Sequence, residues 1–136
     1  MSFVIDASVA ACWAFDDEDH PAAALALERI QFEDARAPSL WWYELRNTLL
    51  VNERRKRLTE RNTTAFLQFV SGLRLTIDRA PVESAVLGLA RRHRLTVYDA
   101  SYLELACRDG LHLATLDQAL AKAAQAEGVL LMSKTT

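Results

Sequence analysis

Phe3-Val4-Ile5-Asp6-Ala7-Ser8 is the stretch whose reading decides the fold. Three apolar residues end in an aspartate, and Val9, Cys12 and Trp13 then recur at i, i+3 and i+4, one face of a helix. An apolar strand buried on both sides, then Asp, then helix, is how an open α/β sheet presents a carboxylate at the carboxyl end of a strand. Such sheets bind ligands along that edge. Asp is also a favoured helix N-cap. Asp6 therefore carries chemistry only if other carboxylates arrive at the same place.

Working outward, the chain keeps alternating between strand and helix. Asp16-Asp17-Glu18-Asp19-His20-Pro21 is a polar break that starts a helix over 21–33, with Ala23, Leu27 and Ile30 inward. Ala35-Arg36-Ala37-Pro38 reads as a short edge strand stopped by Pro. Ser39 is expected to cap a helix over 40–55 with Trp42, Leu45 and Leu49 as its inner stripe; Trp41 and Trp42 cannot both face inward. Thr59 opens a further helix, with Phe66, Phe69, Val70 and Leu73 as a buried stripe. Leu75-Thr76-Ile77 is a strand, and Val82, Val86 and Leu89 define the next helix. Leu95-Thr96-Val97-Tyr98 is a β-prone lead into Asp99, followed by helix over 100–108 and a stop at Asp109-Gly110. A strand over 111–115, a helix from Asp117 to Glu127, a stop at Gly128 and a last strand at 129–131 complete the pattern. Crossover connections of this kind imply an α/β fold in three layers, α/β/α, with a mostly parallel central sheet. The expected domain spans 1–132, with 133–136 as a short tail.

A chain of 136 residues fits one domain, and its 51% hydrophobic content suffices for one core. No apolar run approaches a membrane span and no leader pattern opens the sequence, so the cytoplasm is the expected location. Cys12 and Cys107 form no CxxC pair and are expected on apolar helix faces as buried thiols. His20, His93 and His112 have no metal-ligand spacing and are expected in loops or at the surface. A net charge of −2 argues against tight nonspecific binding of long nucleic acid, which needs many neutralised phosphates, but it leaves room for a nuclease. Arg54, Arg55, Lys56 and Arg57 end one helix; cations there are stabilising in themselves, and contact with substrate phosphates is the second reading.

Asp6, Asp99 and Asp117 share a local grammar: each follows an apolar or β-prone segment and opens a helix. Strand-to-helix junctions of a parallel sheet lie on one edge, so at least Asp6 and Asp117 should meet. If Asp99 and Glu44 join them, four anionic groups converge. Two like charges about 4 Å apart repel by roughly 4 kcal/mol at an effective dielectric near 20. Such a cluster calls for protonation or a hard divalent ion, and all-oxygen ligands favour Mg²⁺ or Mn²⁺. Ions of this kind suit phosphodiester hydrolysis. Other chemistries fail on the residues. An aspartyl-phosphate phosphatase wants a second Asp where Ser8 stands, and a phosphate-accepting receiver wants an acidic pair where Asp6 stands alone. No GxxxxGK[ST], GxGxxG or GxSxG occurs. The acidic run at 16–19 lacks the glycine and spacing of a calcium loop.

Phe3-Val-Ile-Asp-Ala-Ser8, Glu44 in the helix after Pro38-Ser39, Tyr98-Asp-Ala-Ser-Tyr-Leu-Glu-Leu-Ala106 and Leu113-Ala-Thr-Leu-Asp117 together resemble the four acidic motifs of PIN-domain proteins, closest to the VapC-type toxins of bacterial toxin–antitoxin pairs. The resemblance spans nearly the whole chain, in order. It implies a Mg²⁺- or Mn²⁺-dependent endoribonuclease with Asp6, Glu44, Asp99 and Asp117 as its acidic quartet. Asp6 and Asp99 are then expected at the main ion, Asp117 at a second ion or water, and Glu44 at a water bound to the metal. Ser8 and Thr115 match hydroxyl positions that support such sites. The implied partners are RNA, an antitoxin whose C-terminal segment lies over the site, and a second copy in a homodimer. The other readings of the same residues are a noncatalytic partner-binding module and a structure-selective DNA nuclease.

Overall fold

The computed structural model describes residues 2–132. The expected tail at 133–136 lies outside the described residues. The chain runs β1 (Phe3–Ile5), α1 (Ala7–Cys12), α2 (Pro21–Arg29), β2 (Ala35–Pro38), α3 (Leu40–Arg54), α4 (Glu60–Ser71), β3 (Leu75–Asp78), α5 (Glu83–His93), α6 (Val97–Asp109), β4 (His112–Ala114) and α7 (Gln118–Ala126). Four strands form one sheet in the order β3-β2-β1-β4, every pairing parallel. Parallel neighbours need a crossover, and the intervening helices supply it and flank the sheet. Val4, Ile5, Val9, Leu45, Leu49, Leu103, Leu105, Leu113 and Leu120 are fully buried and form the centre of the core.

β1 is a central strand. Phe3 pairs with Ala35 on one side and His112 on the other, and Ile5 lies beside Ala114. Its three residues are all buried, as a strand covered on both faces requires. β2 is not the edge strand its sequence suggests: it lies between β1 and β3. Its small Ala35 and Ala37, both fully buried, leave room for α6 to pack against it, and Pro38 occupies the final residue.

Several helices depart from expectation for identifiable reasons. In α3 the buried stripe is Trp41, Leu45, Leu49 and Asn52, and Trp42 is 47% exposed. Both tryptophans have helical spacing to Leu45, so periodicity alone does not choose between them. Ser39 is already helical and makes no side-chain cap; its hydroxyl donates to the Asp78 carbonyl at 3.4 Å instead. Phe69 is exposed because α4 packs on α3 at the periphery and is not covered on its far side. The Thr59 cap is present as a full capping box with Asn62. α2 ends at Arg29, four residues before the expected end, and Phe32 beyond it is exposed.

No strand precedes Asp99. Thr96 caps α6 by accepting the Asp99 N–H at 3.1 Å, so Val97 and Tyr98 already lie in the first turn. A β-branched residue is tolerated there because no earlier turn crowds it. Cys12 is buried, but Cys107 is exposed, lying past the buried Leu103-Glu104-Leu105-Ala106 run as α6 leaves the core. His93 is not a plain surface residue: its side chain is largely covered and its Nε2 lies 2.6 Å from Glu127, joining α5 to the end of α7. His112 is a half-buried strand residue. The expected last strand is a single parallel bridge from Leu131 to Leu113 on the outer side of β4.

A charged network fixes α6 against the sheet. Arg108 bonds Glu104 (Nε to Oε2, 2.7 Å) and Asp78 (Nη2 to Oδ2, 2.8 Å), while Arg36 pairs with Asp78 and Asp109. Hydrogen bonding from Arg108 holds the Asp78 carboxyl below the usual range. The C-terminal half of α6 is thereby anchored, and its first turn, with Asp99, is set over the carboxyl end of the sheet.

Candidate metal centre

Asp6 follows β1 and caps α1. Its Oδ1 accepts the Ser8 N–H at 3.4 Å, and its Oδ2 accepts the Ser8 hydroxyl at 3.0 Å and the Thr115 hydroxyl at 2.7 Å. Its own N–H donates to the Ala114 carbonyl at 3.0 Å, which ties it to the end of β4. Asp117 caps α7 three residues past β4, with Oδ1 accepting the Leu120 N–H at 3.0 Å. Both residues are therefore true N-caps, and each cap leaves carboxylate lone pairs to spare. The two junctions are also cross-linked. The Asp117 N–H donates to Thr115 Oγ1 at 3.0 Å, and the Leu116 N–H donates to Ser8 Oγ at 3.3 Å.

Asp99 and Glu44 reach the same edge by another route. Asp99 projects from the first turn of α6, Glu44 from the second turn of α3. Tyr102, one turn beyond Asp99 and fully buried, donates its hydroxyl to Glu44 Oε1 at 2.5 Å. Tyr102 thus joins the helix of Asp99 to that of Glu44, as Thr115 joins the loop of Asp117 to Asp6. Sequence reasoning missed both Tyr102 and Thr96. The available signal was spacing: Tyr102 is at i+3 from Asp99, on the same helix face.

The electrostatics show that the four acids sense one another. Burial pushes the Asp6 carboxyl up, against the three hydrogen bonds it accepts, and the Asp117 charge adds to the rise. Glu44 is raised by burial and by Asp6 and Asp99, against the Tyr102 bond. Asp99 is raised by burial, then by Asp117 and Asp6, against Thr96. Asp6, at the end of a central strand and 7% exposed, takes part in all three shifts.

A proton or a cation relieves such repulsion. The donors are all oxygens, so these acidic residues can hold a hard divalent cation. No three of the quartet have carboxylate oxygens within 4.8 Å of one another, the spacing met among the described residues only by Cys12, Glu18 and His20. An ion with bonds of about 2.0–2.1 Å to oxygen and several retained waters fits that looser arrangement. Of the basic run, Arg54, Arg55, Lys56 and Arg57 are all exposed. Arg57 is engaged, bonding Asp17, Glu18 and Asn52 and stacking 4.3 Å over the Phe15 ring.

The PIN domain family model matches residues 3–126. Ribonuclease VapC3 of Pyrobaculum aerophilum is 33% identical over 126 residues, covering 90% of this chain and 94% of its own length. Among solved structures, PAE2754 from Pyrobaculum aerophilum aligns with a TM-score of 0.72 at 27% identity, over 90% of this chain and 84% of that one. FitAcB from Neisseria gonorrhoeae aligns at 0.64 and 19% identity, over 98% and 97% of the two chains. VapC20 of Mycobacterium tuberculosis, a toxin that cleaves the sarcin–ricin loop, aligns at 0.62 and 15% identity, over 89% and 94%. The last two are likenesses of fold. With the family model spanning nearly every element and a relative of this identity over nearly its whole length, the chain belongs to the PIN domain family.

Proposed function

We propose that the chain is a metal-dependent endoribonuclease acting as the toxin of a type II toxin–antitoxin pair in the cytoplasm, with Asp6, Glu44, Asp99 and Asp117 as its site. The observation that carries this reading is the meeting of four carboxylates from four separate elements at one edge of a parallel sheet, three of them raised by burial and mutual charge. The likeness to a VapC ribonuclease supports RNA as the substrate.

Bound among these acids, Mg²⁺ or Mn²⁺ would supply charge for the phosphoryl oxygen, a nucleophile from water and stabilisation of the leaving oxygen. Asp6 and Asp99 would hold the main ion, Asp117 would orient a second ion or a water, and Glu44, its carboxylate bonded by Tyr102, would hold a water at the site. Ser8 and Thr115 keep the Asp6 carboxylate in one rotamer, so the site is preorganised before substrate arrives. Arg54, Arg55 and Lys56, exposed at the end of α3, would contact RNA phosphates.

The antitoxin covers the mouth of the site with its C-terminal segment, where a basic side chain would neutralise the carboxylates. A second copy of the chain covers the outward-turned Trp42 and Tyr43, which stack edge-to-face at 4.9 Å on the surface of α3. Mapping RNA ends after brief induction tests the function. New, sequence-restricted ends appear with the wild type and not with Asp99→Asn. Identical end profiles for the two proteins would leave a noncatalytic binding module, and in parallel assays on RNA and branched DNA, cleavage of the DNA alone would make it a DNA nuclease.

A further inference from the structure

Outside the acidic quartet, one cluster of metal-ligating side chains stands out at the junction between α1 and α2. Cys12 is the last residue of α1, and Glu18 and His20 lie in the connection that ends at Pro21. No familiar ligand spacing announces the three. The turn of the chain nevertheless brings the Cys12 sulfur, a Glu18 carboxylate oxygen and a His20 ring nitrogen within 4.8 Å of one another. They line a cavity of about 200 Å³ together with Trp13, Phe15 and Leu27.

We propose that Cys12, Glu18 and His20 form a zinc site that pins the α1–α2 connection to the end of α1. One thiolate, one imidazole and one carboxylate make a ligand set suited to Zn²⁺, with a water completing the tetrahedron. Bonds of about 2.3 Å to sulfur and about 2.0–2.2 Å to nitrogen and oxygen put the ligand atoms of one ion roughly 3.3–3.8 Å apart. The observed cluster needs to close by only about an ångström.

Among the described residues, the hydrogen bonds holding these side chains are long, and Glu18 already bears on the Cys12 thiol. His20 is the N-cap residue of α2 but makes no side-chain capping bond. The Cys12 thiol donates weakly to the Ser8 carbonyl at 3.4 Å. Glu18 accepts from Arg57 at 3.4 Å, and Arg57 keeps Asp17, Asn52 and the Phe15 ring if Glu18 turns to an ion. A redox role for Cys12 is disfavoured, because burial and the neighbouring Glu18 push its thiol up to about 12 and leave little thiolate. Zinc binding displaces that thiol proton to solvent. The site selects against Mg²⁺, which the oxygen-only quartet suits, so the two centres take different ions. Because α1 also carries Asp6 at its other end, the clamp steadies the helix on which the first acid of the quartet sits.

The test uses metal-stripped full-length protein titrated with Co²⁺. A thiolate-to-cobalt charge-transfer band and tetrahedral visible bands are expected to saturate at one equivalent, to yield to Zn²⁺ and to survive excess Mg²⁺. Cys12→Ser removes the charge-transfer band. His20→Ala, at an exposed loop position that leaves the core intact, weakens Co²⁺ and Zn²⁺ binding more than about tenfold. Absence of the band, or the same affinity in His20→Ala and Glu18→Gln as in the wild type, overturns the proposal. Asp99→Asn keeps the cobalt spectrum, so the zinc site stands or falls separately from the ribonuclease reading.

Discussion

Replacing Asp99 with Asn should stabilise the metal-free protein while abolishing its chemistry. Asp99 is half-buried in the first turn of α6, and the charges of Asp117 and Asp6 both act on it. Charges roughly 6 Å apart interact by about 0.7–3 kcal/mol for effective dielectrics between about 80 and 20. The half-exposed position favours the low end, about 1 kcal/mol for each of the two pairs. Asn loses the favourable interaction of an anion with a helix N-terminus, about 0.3–1 kcal/mol. The Thr96 cap survives, because it uses the backbone N–H of residue 99. The net expectation is a gain of about 1 kcal/mol, or about 3–5 °C in Tm for a domain of this size.

The same substitution fixes a pH dependence. A carboxyl raised in the folded state contributes stability that is fully present below its unfolded value, near about 4, and is lost as pH rises through the folded value. Asp99 is raised, so the advantage of Asp99→Asn over the wild type grows as pH rises from about 4 through that range. Thermal denaturation in EDTA across pH reads this directly. Adding Mg²⁺ reverses the order: at about 100 times its Kd a bound ion stabilises the wild type by about 2.7 kcal/mol and the variant far less. RNA cleavage by the variant falls more than about a hundredfold. A variant that is less stable than the wild type in EDTA, and equally responsive to Mg²⁺, would reduce Asp99 to a residue that merely suits a helix start.

Three other outcomes follow from named side chains. Tyr102→Phe removes the hydrogen bond that opposes the rise of Glu44, so the acidic limb of the pH–rate profile should move to higher pH, with a stability loss of about 1–2 kcal/mol; an unmoved limb would show that Glu44 is not part of the titrating site. Arg108→Met strands Glu104, a carboxylate only 2% exposed, and should cost about 3–5 kcal/mol by urea denaturation, much of it recovered in Arg108→Met with Glu104→Met. Neutralising Arg54, Arg55 and Lys56 should flatten the salt dependence of RNA binding by about 0.7 in log–log slope for each phosphate that is no longer neutralised, whereas a solvated helix end predicts no change.

Much of the fold was legible because the sequence states it twice. Phe3-Val4-Ile5 before Asp6 and the segment ending at Ala114 before Asp117 are both short apolar strands leading to a capping carboxylate, and parallel pairing puts their ends side by side. Glu44 was harder to place, since a helical glutamate near an N-terminus has a sufficient local explanation. Its membership of the site depends on Tyr102, 58 residues away, a hydrogen bond that no local pattern encodes. Position within the sheet was illegible for β2 because its short, Ala-rich strand looks the same at an edge or beneath a closely packed helix. The choice between Trp41 and Trp42 turned on one residue of helix phase, set by how α3 meets α1 and β2. The cluster of Cys12, Glu18 and His20 depends on a loop turning back on the helix before it, which spacing does not report.

The central claim is that Asp6, Glu44, Asp99 and Asp117 form a hydrolytic centre that works through a divalent ion. Cleavage of a single-stranded RNA by the purified chain, followed through EDTA treatment and metal re-addition, tests it most directly. Cleavage should stop in EDTA, return with Mg²⁺ or Mn²⁺ and stay absent in Asp6→Asn under every condition. Cleavage that persists in excess EDTA, or that Asp6→Asn retains, would contradict it.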